Sequence, residues 1–313
     1  MLVAILGAIV PTFGFVAIGW TCRRIGIWGR EAVHVLNSYA YYIALPALIF
    51  DAVLKTDLLA TATTSDLRYL VGLLLGHGAV ALLALIGTRR APRPIRAVAP
   101  MLLTFGSTAY LGIPFATFAF GAAGTAYAAI GSVTIVIASL FIALTALNAF
   151  GHREHHTATW QQLLELPFLW VVLAGLLLPV IGVRDLPEVL AHTVEILGGS
   201  AGPTALLALG AFDFDLRWQR IPWRWSLPFG FGKVILCSLA TFAALKLLGV
   251  TGLPLAVGTT LAATSIAVTA FVLAEEYHTS TNITDGALAM SSVASLLTLS
   301  AILALWMSTN MFQ

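Results

Sequence analysis

The sequence predicts an all-α polytopic membrane protein of about ten transmembrane helices, arranged as two inverted five-helix repeats. Of its 313 residues, 59% are hydrophobic and only 10% are charged, whereas a soluble domain carries about 25% charged residues. Apolar runs long enough to cross a bilayer follow one another along the whole chain, with short polar connections between them. These observations exclude an ordinary soluble enzyme or a nucleic-acid-binding domain, since the basic residues stand in short clusters between apolar runs.

Each predicted span is a mostly apolar run of about 20 residues. The first run has no basic segment before it, so we interpret it as a membrane helix and not as a removable signal. We expect one membrane transport domain over residues 1–313, with a first repeat near 1–150 and a second near 160–313. The spans lie near 2–21, 32–54, 67–88, 97–119, 124–149, 164–183, 188–211, 227–248, 254–274 and 286–309.

The basic residues predict the orientation of the chain. Arginine clusters near 23–30, 89–96 and 217–224 fall on the same side if every predicted span crosses the membrane. Loops rich in Lys and Arg face the cytoplasm. We therefore expect a multi-pass protein of the cell membrane with both its N-terminus and its C-terminus outside.

The two halves of the chain resemble one another weakly. Glu31 and Pro46 in the second predicted span recur as Glu188 and Pro203 in the seventh, at an offset of 157 residues. An odd number of spans in each half places the repeats in opposite orientations in the membrane, which is typical of secondary transporters.

The predicted fourth span does not have the sequence of a continuous helix. It carries Gly106, the polar pair Ser107–Thr108, Gly112 and Pro114 in its middle, and both glycine and proline weaken a helix. The offset of 157 carries Ser107–Thr108 onto a second polar pair, Thr264–Ser265. In a membrane, loosened backbone is tolerated where protein buries it or where it lines a wet cavity. We therefore predict interruptions in the fourth and ninth spans that form a substrate site.

Three segments carry a family resemblance. LNSYAYYIALPALIF (36–50), FGSTAYLGIP (105–114) and TAFVLAEEY (269–277) resemble the auxin efflux carrier family, and the likeness covers nearly the whole chain. The resemblance implies a carrier of small organic anions in which spans 1, 2, 6 and 7 form a scaffold. It also implies a moving domain with crossed, broken spans 4 and 9, and a homodimer through the scaffold spans. Two positions depart from the family pattern: Ser107, Thr108 and Ala109 replace its Asn-Thr-Gly, and Thr264 replaces a proline.

The candidate substrate-binding residues are hydroxyl, amide and backbone donors near these interruptions. The N-termini of half-helices point partial positive charges at an anion. An alternative for each hydroxyl is a bond to its own helix backbone, or a role in helix packing. The candidates are Asn37, Ser107, Thr108, Tyr110, Gly112, Thr264 and Ser265.

Three ionisable residues within predicted spans are candidates for proton coupling or for contact with a charged substrate. His77 lies in the middle of the third span, where an imidazole can take up and release a proton near neutral pH. Its alternative is a hydrogen bond to a neighbouring helix. Lys233 contacts the substrate or extends towards the inner interface. Glu195 lies in the seventh span or in an outer vestibule.

The predicted function is a secondary carrier of small organic anions, proton-coupled or driven by the membrane potential. Its partners would be the anion, protons or sodium, and the lipid bilayer. Alternatives are a sodium-coupled carrier similar to bile-acid symporters and a membrane receptor or sensor. No catalytic motif stands in the chain, so we expect no enzyme and no cofactor. We interpret His152, His155 and His156 as a solvated turn and predict no metal site.

Overall fold

The computed structural model describes residues 2–56, 64–151, 167–183, 185–214 and 221–308, which are almost entirely helical. Two π-helical segments, Ala40–Ala44 and Thr108–Gly112, continue into the helices that follow them. The α-helices are α1 (Leu2–Arg24), α2 (Arg30–Tyr39), α3 (Leu45–Thr56), α4 (Thr64–Gly87), α5 (Arg93–Thr104), α6 (Ile113–Phe150), α7 (Pro167–Val180), α8 (Glu188–Gly199), α9 (Ala201–Phe214), α10 (Trp223–Leu247), α11 (Gly252–Ala262), α12 (Val268–Glu276) and α13 (Thr281–Ser308).

Within the described residues, seven helical stretches are long and apolar enough to cross a membrane. The helices α7 and α11 contain shorter apolar stretches. The fold is therefore that of an all-helical, multi-pass membrane protein, while the count of about ten spans stays a prediction. The seven stretches are Leu6–Arg24, Arg30–Lys55, Thr64–Gly87, Thr108–Phe150, Glu188–Phe212, Trp223–Leu247 and Thr281–Ser308.

The long helix α6 is kinked at Gly121. Its backbone there has φ 68° and ψ −160°, a conformation that glycine adopts without the steric cost of a Cβ. The predicted fourth span ends at this point and the predicted fifth begins. The kink therefore separates the helices of the two predicted spans.

The chain forms two compact units, and each unit contains segments of both sequence repeats. The first unit comprises Met1–Leu67, Ala109–Val133 and Leu163–Asp215, and so contains α1–α3 and α7–α9. The second unit comprises Arg68–Thr108, Thr134–Gln162 and Leu216–Gln313, and so contains α4 from Arg68 onwards, α5 and α10–α13. The helix α6 is divided between them.

In the first unit, small residues allow close helix packing. Gly19 of α1 lies against the main chain of Leu207 in α9, and Gly210 of α9 lies against the carbonyl of Val16 in α1. A Cβ at either glycine would overlap backbone atoms, which cannot move aside. In a bilayer, where lipid is as apolar as the helices, such close backbone approach is a main source of helix association.

In the second unit, α10 is the helix around which the others pack. Gly76 of α4 lies against Thr241 of α10, and Gly230 of α10 lies against Met290 and the backbone of α13. Leu245, near the end of α10, contacts Gly258 of α11. Side chains of α10 therefore reach α4, α11 and α13 at once, and one face of α10 carries the polar residues described below.

The α1–α9 contact makes a prediction about stability. Gly210→Leu should lower the melting temperature and the yield of monodisperse protein in detergent, because overpacking against backbone costs about 1–3 kcal/mol or more. Gly14→Leu is the matched control, since a Cβ at Gly14 of α1 meets nothing within 4 Å. Equal melting temperatures for the two variants would contradict the packing described here.

Candidate functional site

The segment that follows α5 and the segment that follows α11 lie side by side in the second unit. The main-chain N–H of Ser107 donates to the carbonyl of Ser265 at 2.7 Å, and that of Ala267 donates to the carbonyl of Phe105 at 3.0 Å. The two segments thus form a short antiparallel β-bridge. Backbone groups that leave helical geometry in an apolar medium are satisfied here by each other, as the membrane requires.

The residues at the centre of the bridge, Gly106 and Ile266, point their main-chain groups away from it. The N–H of Ile266 donates to the Ser291 hydroxyl of α13 at 2.9 Å. Among the described residues, the N–H groups of Gly106 and Ser265 donate no main-chain hydrogen bond, and the Ser265 hydroxyl has no partner. The bridge therefore leaves buried donors available to a ligand.

The predicted hydroxyl pairs are buried at the bridge. Ser107 is 6% exposed, and Thr108, Thr264 and Ser265 are exposed by no more than 1%. The Thr264 hydroxyl donates to the carbonyl of Leu261 at 2.8 Å, so for this residue the backbone-bonded alternative holds. Its oxygen remains able to accept a hydrogen bond, whereas Ser265 retains its donor.

Lys233 of α10 is fully buried and its side chain ends at the second interruption. Its Nζ donates to the carbonyl of Ala262 at 2.7 Å and to the carbonyl of Thr264 at 2.8 Å. Ala262 ends α11, where the helix dipole places partial negative charge, and Thr264 lies just beyond that end. The alternative in which Lys233 extends to the inner interface is wrong, because the carbonyl oxygens at the break hold its ammonium inside the unit.

His77 of α4 is fully buried in the second unit, as a neighbour of α10. Its Nδ1 donates to the carbonyl of Leu73 at 2.9 Å, and its Nε2 has no partner among the described residues. The imidazole lies beside the Cys237 thiol, which also interacts with Lys233 and Thr241. His77 thus lies beside the stretch of α10 that carries Lys233 and Cys237.

The remaining candidates belong to the first unit. The Tyr110 hydroxyl donates to the main-chain carbonyl of Asn37 at 3.2 Å, and Gly112 ends the π-helical segment Thr108–Gly112. Glu195 is exposed on α8 and interacts with Lys55 at the end of α3. The structure therefore groups Ser107, Thr108, Thr264, Ser265, His77 and Lys233 in the second unit, apart from Asn37, Tyr110, Gly112 and Glu195.

Sequence reasoning missed several residues of this region. Gly106 leaves room for the Lys233 side chain, since a Cβ there would lie 2.7 Å from Nζ. Ser139 donates to the carbonyl of Thr104 at 3.1 Å, and Ser291 receives the N–H of Ile266. One signal was available: Lys233, Cys237 and Thr241 recur every four residues and so share one face of a helix.

The histidines His152, His155 and His156 lie outside the described residues. Among the residues that the structure does describe, no group of three or more His, Cys, Asp or Glu side chains could hold a metal ion.

Comparisons with known proteins identify the family of the chain. The model of the family described as "Membrane transport protein" matches the chain twice, over residues 4–159 and 152–303. The two matches correspond to the two repeats. A protein of Rhizobium meliloti (strain 1021) named "Putative malonate transporter" is 25% identical over 295 residues, which cover 87% of each chain. The chain therefore belongs to the membrane transport protein family, the auxin efflux carrier family that its sequence resembles.

Proposed function

We propose that this protein is a secondary carrier of small organic anions, such as mono- or dicarboxylates, that works by alternating access. The observation that carries the proposal is the buried ammonium of Lys233 beside the bridge between the two interruptions. The described residues form no ion pair with it. Burial of a charge without a counter-charge is costly, so an anion that binds nearby compensates Lys233 electrostatically.

The polar groups of the bridge support an anionic ligand. Among the described residues, the N–H groups of Gly106 and Ser265 donate no main-chain hydrogen bond, and the Ser265 hydroxyl has no partner. The helix α12 begins at Val268, directly after the bridge, and the N-terminus of a helix favours negative charge. The name of the Rhizobium relative, which refers to malonate, supports a carboxylate substrate.

The architecture that we propose has ten spans in two inverted repeats, with the broken spans 4 and 9 crossing at the bridge. The helices of spans 1, 2, 6 and 7 fall together in the first unit, which we propose as the scaffold and as the surface of a homodimer. The second unit is then the transport domain. Both termini face outside the cell membrane. Substrate contacts by Asn37, Tyr110 and Gly112, and a charge contact by Glu195, stay predictions.

For coupling, we propose a proton in preference to sodium. His77 is a buried imidazole that bonds to its own helix through Nδ1 and lies beside the Cys237 thiol. A proton taken up by His77 adds positive charge beside Cys237, which also interacts with Lys233. A sodium-coupled carrier is the second candidate. A receptor or sensor that binds the anion without moving it is the third.

Uptake into proteoliposomes tests the proposal. We expect labelled malonate or a related mono- or dicarboxylate to enter, faster with an imposed proton gradient and unchanged when choline replaces sodium. Uptake that requires sodium would favour the second candidate. Saturable binding of the anion without any uptake would favour the receptor, and neither binding nor uptake across the panel would contradict the proposed substrate class.

The hydroxyls at the bridge make a second prediction. The double variant Ser107→Ala with Thr264→Ala should abolish uptake, because each lost buried hydrogen bond costs about 1–3 kcal/mol. The amount of protein in the membrane should stay normal. The matched control is Thr193→Ala with Ser300→Ala, which removes two exposed hydroxyls that bond to their own helices. Normal uptake by the bridge variant would remove these hydroxyls from the site.

His77 makes a third prediction. His77→Ala should flatten the pH dependence of uptake, because the imidazole is the group proposed to carry the coupled proton. Initial rates across a pH series measure this effect. His192→Ala, which changes an exposed histidine of α8, should leave the profile unchanged. A wild-type profile in His77→Ala would exclude His77 from coupling.

A further inference from the structure

The two interruptions are satisfied in different ways. The last carbonyl of α5, that of Thr104, accepts the neutral hydroxyl of Ser139 at 3.1 Å. The last carbonyl of α11, that of Ala262, accepts the Nζ of Lys233. At the repeat offset of 157 residues the counterpart of Lys233 is Gly76, which has no side chain. The second interruption therefore depends on a side-chain cation that the first does not have.

The surroundings of this Nζ are those of a small monovalent cation. Two main-chain carbonyl oxygens lie at 2.7 Å and 2.8 Å from it, distances typical of charge-assisted hydrogen bonds. Ala262 is the last residue of α11, whose dipole favours positive charge at this end, and Thr264 follows two residues later. Lys233 is 0% exposed, so bulk water cannot replace the ammonium. Carbonyl oxygens of this kind also ligate free hard cations.

Gly106, in the first interruption, lies against the ammonium group of Lys233. A Cβ at residue 106 would lie 2.7 Å from the Nζ of Lys233 and 2.7 Å from the Oγ1 of Thr264. Only glycine leaves the space that the ammonium occupies. The side chain of Lys233 is thus enclosed by backbone from both interruptions, α5 on one side and α11 on the other.

We propose that Lys233 is a built-in cation that holds the second interruption in its bridged shape, in the place of a free cation. It is a positioning residue, since its Nζ bonds to backbone and shapes the bridge. Two consequences follow. Wild-type protein takes up no metal cation at this position, and removal of the side chain creates a site for a small cation such as ammonium. The transport consequence rests on the proposed function, but the stability consequence does not.

Thermal unfolding of purified protein in detergent, without substrate, tests the stability consequence. Lys233→Ala should melt several degrees below the wild type, because two buried carbonyls lose their donor. Ammonium chloride should raise the melting temperature of Lys233→Ala, while tetramethylammonium chloride at equal ionic strength should not. The matched control is Lys246→Ala, at the other end of α10. Neither the wild type nor this control should respond to ammonium.

A second pair of variants keeps the test decisive if Lys233→Ala does not fold. Gly106→Ala retains every charged group but places a methyl group against Nζ, so it should melt below Gly78→Ala, where a Cβ meets nothing within 4 Å. Equal melting temperatures for this pair would overturn the proposal. An ammonium effect of the same size in wild type and Lys233→Ala would also overturn it.

Counterflow of the labelled anion, with no imposed gradient, tests the transport consequence, since ammonia would dissipate a proton gradient. Lys233→Ala should lose uptake by about tenfold or more, and ammonium should restore part of it. Wild-type counterflow should be unaffected by ammonium. If the wild type carries no anion while ammonium still stabilises Lys233→Ala, the proposed function fails and the built-in cation stands. If the wild type carries the anion and Lys233→Ala does so equally well, the built-in cation fails alone.

Discussion

The fold depends on one constraint: backbone that leaves helical geometry inside a membrane must find hydrogen-bond partners within the protein. Helices α5 and α11 both end well inside apolar stretches of the chain. Their ends satisfy one another through the two hydrogen bonds of the β-bridge. Two further groups have side-chain partners: the N–H of Ile266 donates to the Ser291 hydroxyl, and the carbonyl of Ala262 accepts the Nζ of Lys233. Each broken helix thus supplies hydrogen-bond partners for the other, and the two polar interruptions lie side by side.

The same constraint connects the fold to an anionic ligand. The carbonyl oxygens that end α11 require a donor, and the chain supplies one that carries a full charge. That charge is buried without a partner carboxylate among the described residues, while the nearby N–H groups of Gly106 and Ser265 donate no main-chain hydrogen bond there. Negative charge near the bridge would stabilise both the ammonium of Lys233 and these N–H groups. A site with polar groups but no unpaired positive charge would not favour an anion in this way.

The sequence was sufficient to predict features that repeat along the chain. The positions of Ser107 and Thr264 follow from the offset of 157, and the observed bridge between Gly106 and Ile266 lies next to both pairs. What a side chain contacts could not be predicted, because the path of Lys233 depends on where α11 ends relative to α10. Proximity to the loop suggested an interfacial lysine, yet the space beside Gly106 and two unsatisfied carbonyls give it better partners inside.

The position of α10 connects Lys233 with His77, the residue that we propose for proton coupling. Lys233, Cys237 and Thr241 lie on one face of this helix, with the bridge at one end and α4 at the other. His77 approaches that face at Cys237, and Gly76 allows α4 to come close to Thr241. Under the proposed coupling, a proton on the imidazole would add to the positive field of Lys233, and in a medium of low dielectric constant that field would reach the bridge. Anion binding would then favour protonation of His77, and protonation would favour anion binding, because a coupling free energy between two sites acts equally in both directions.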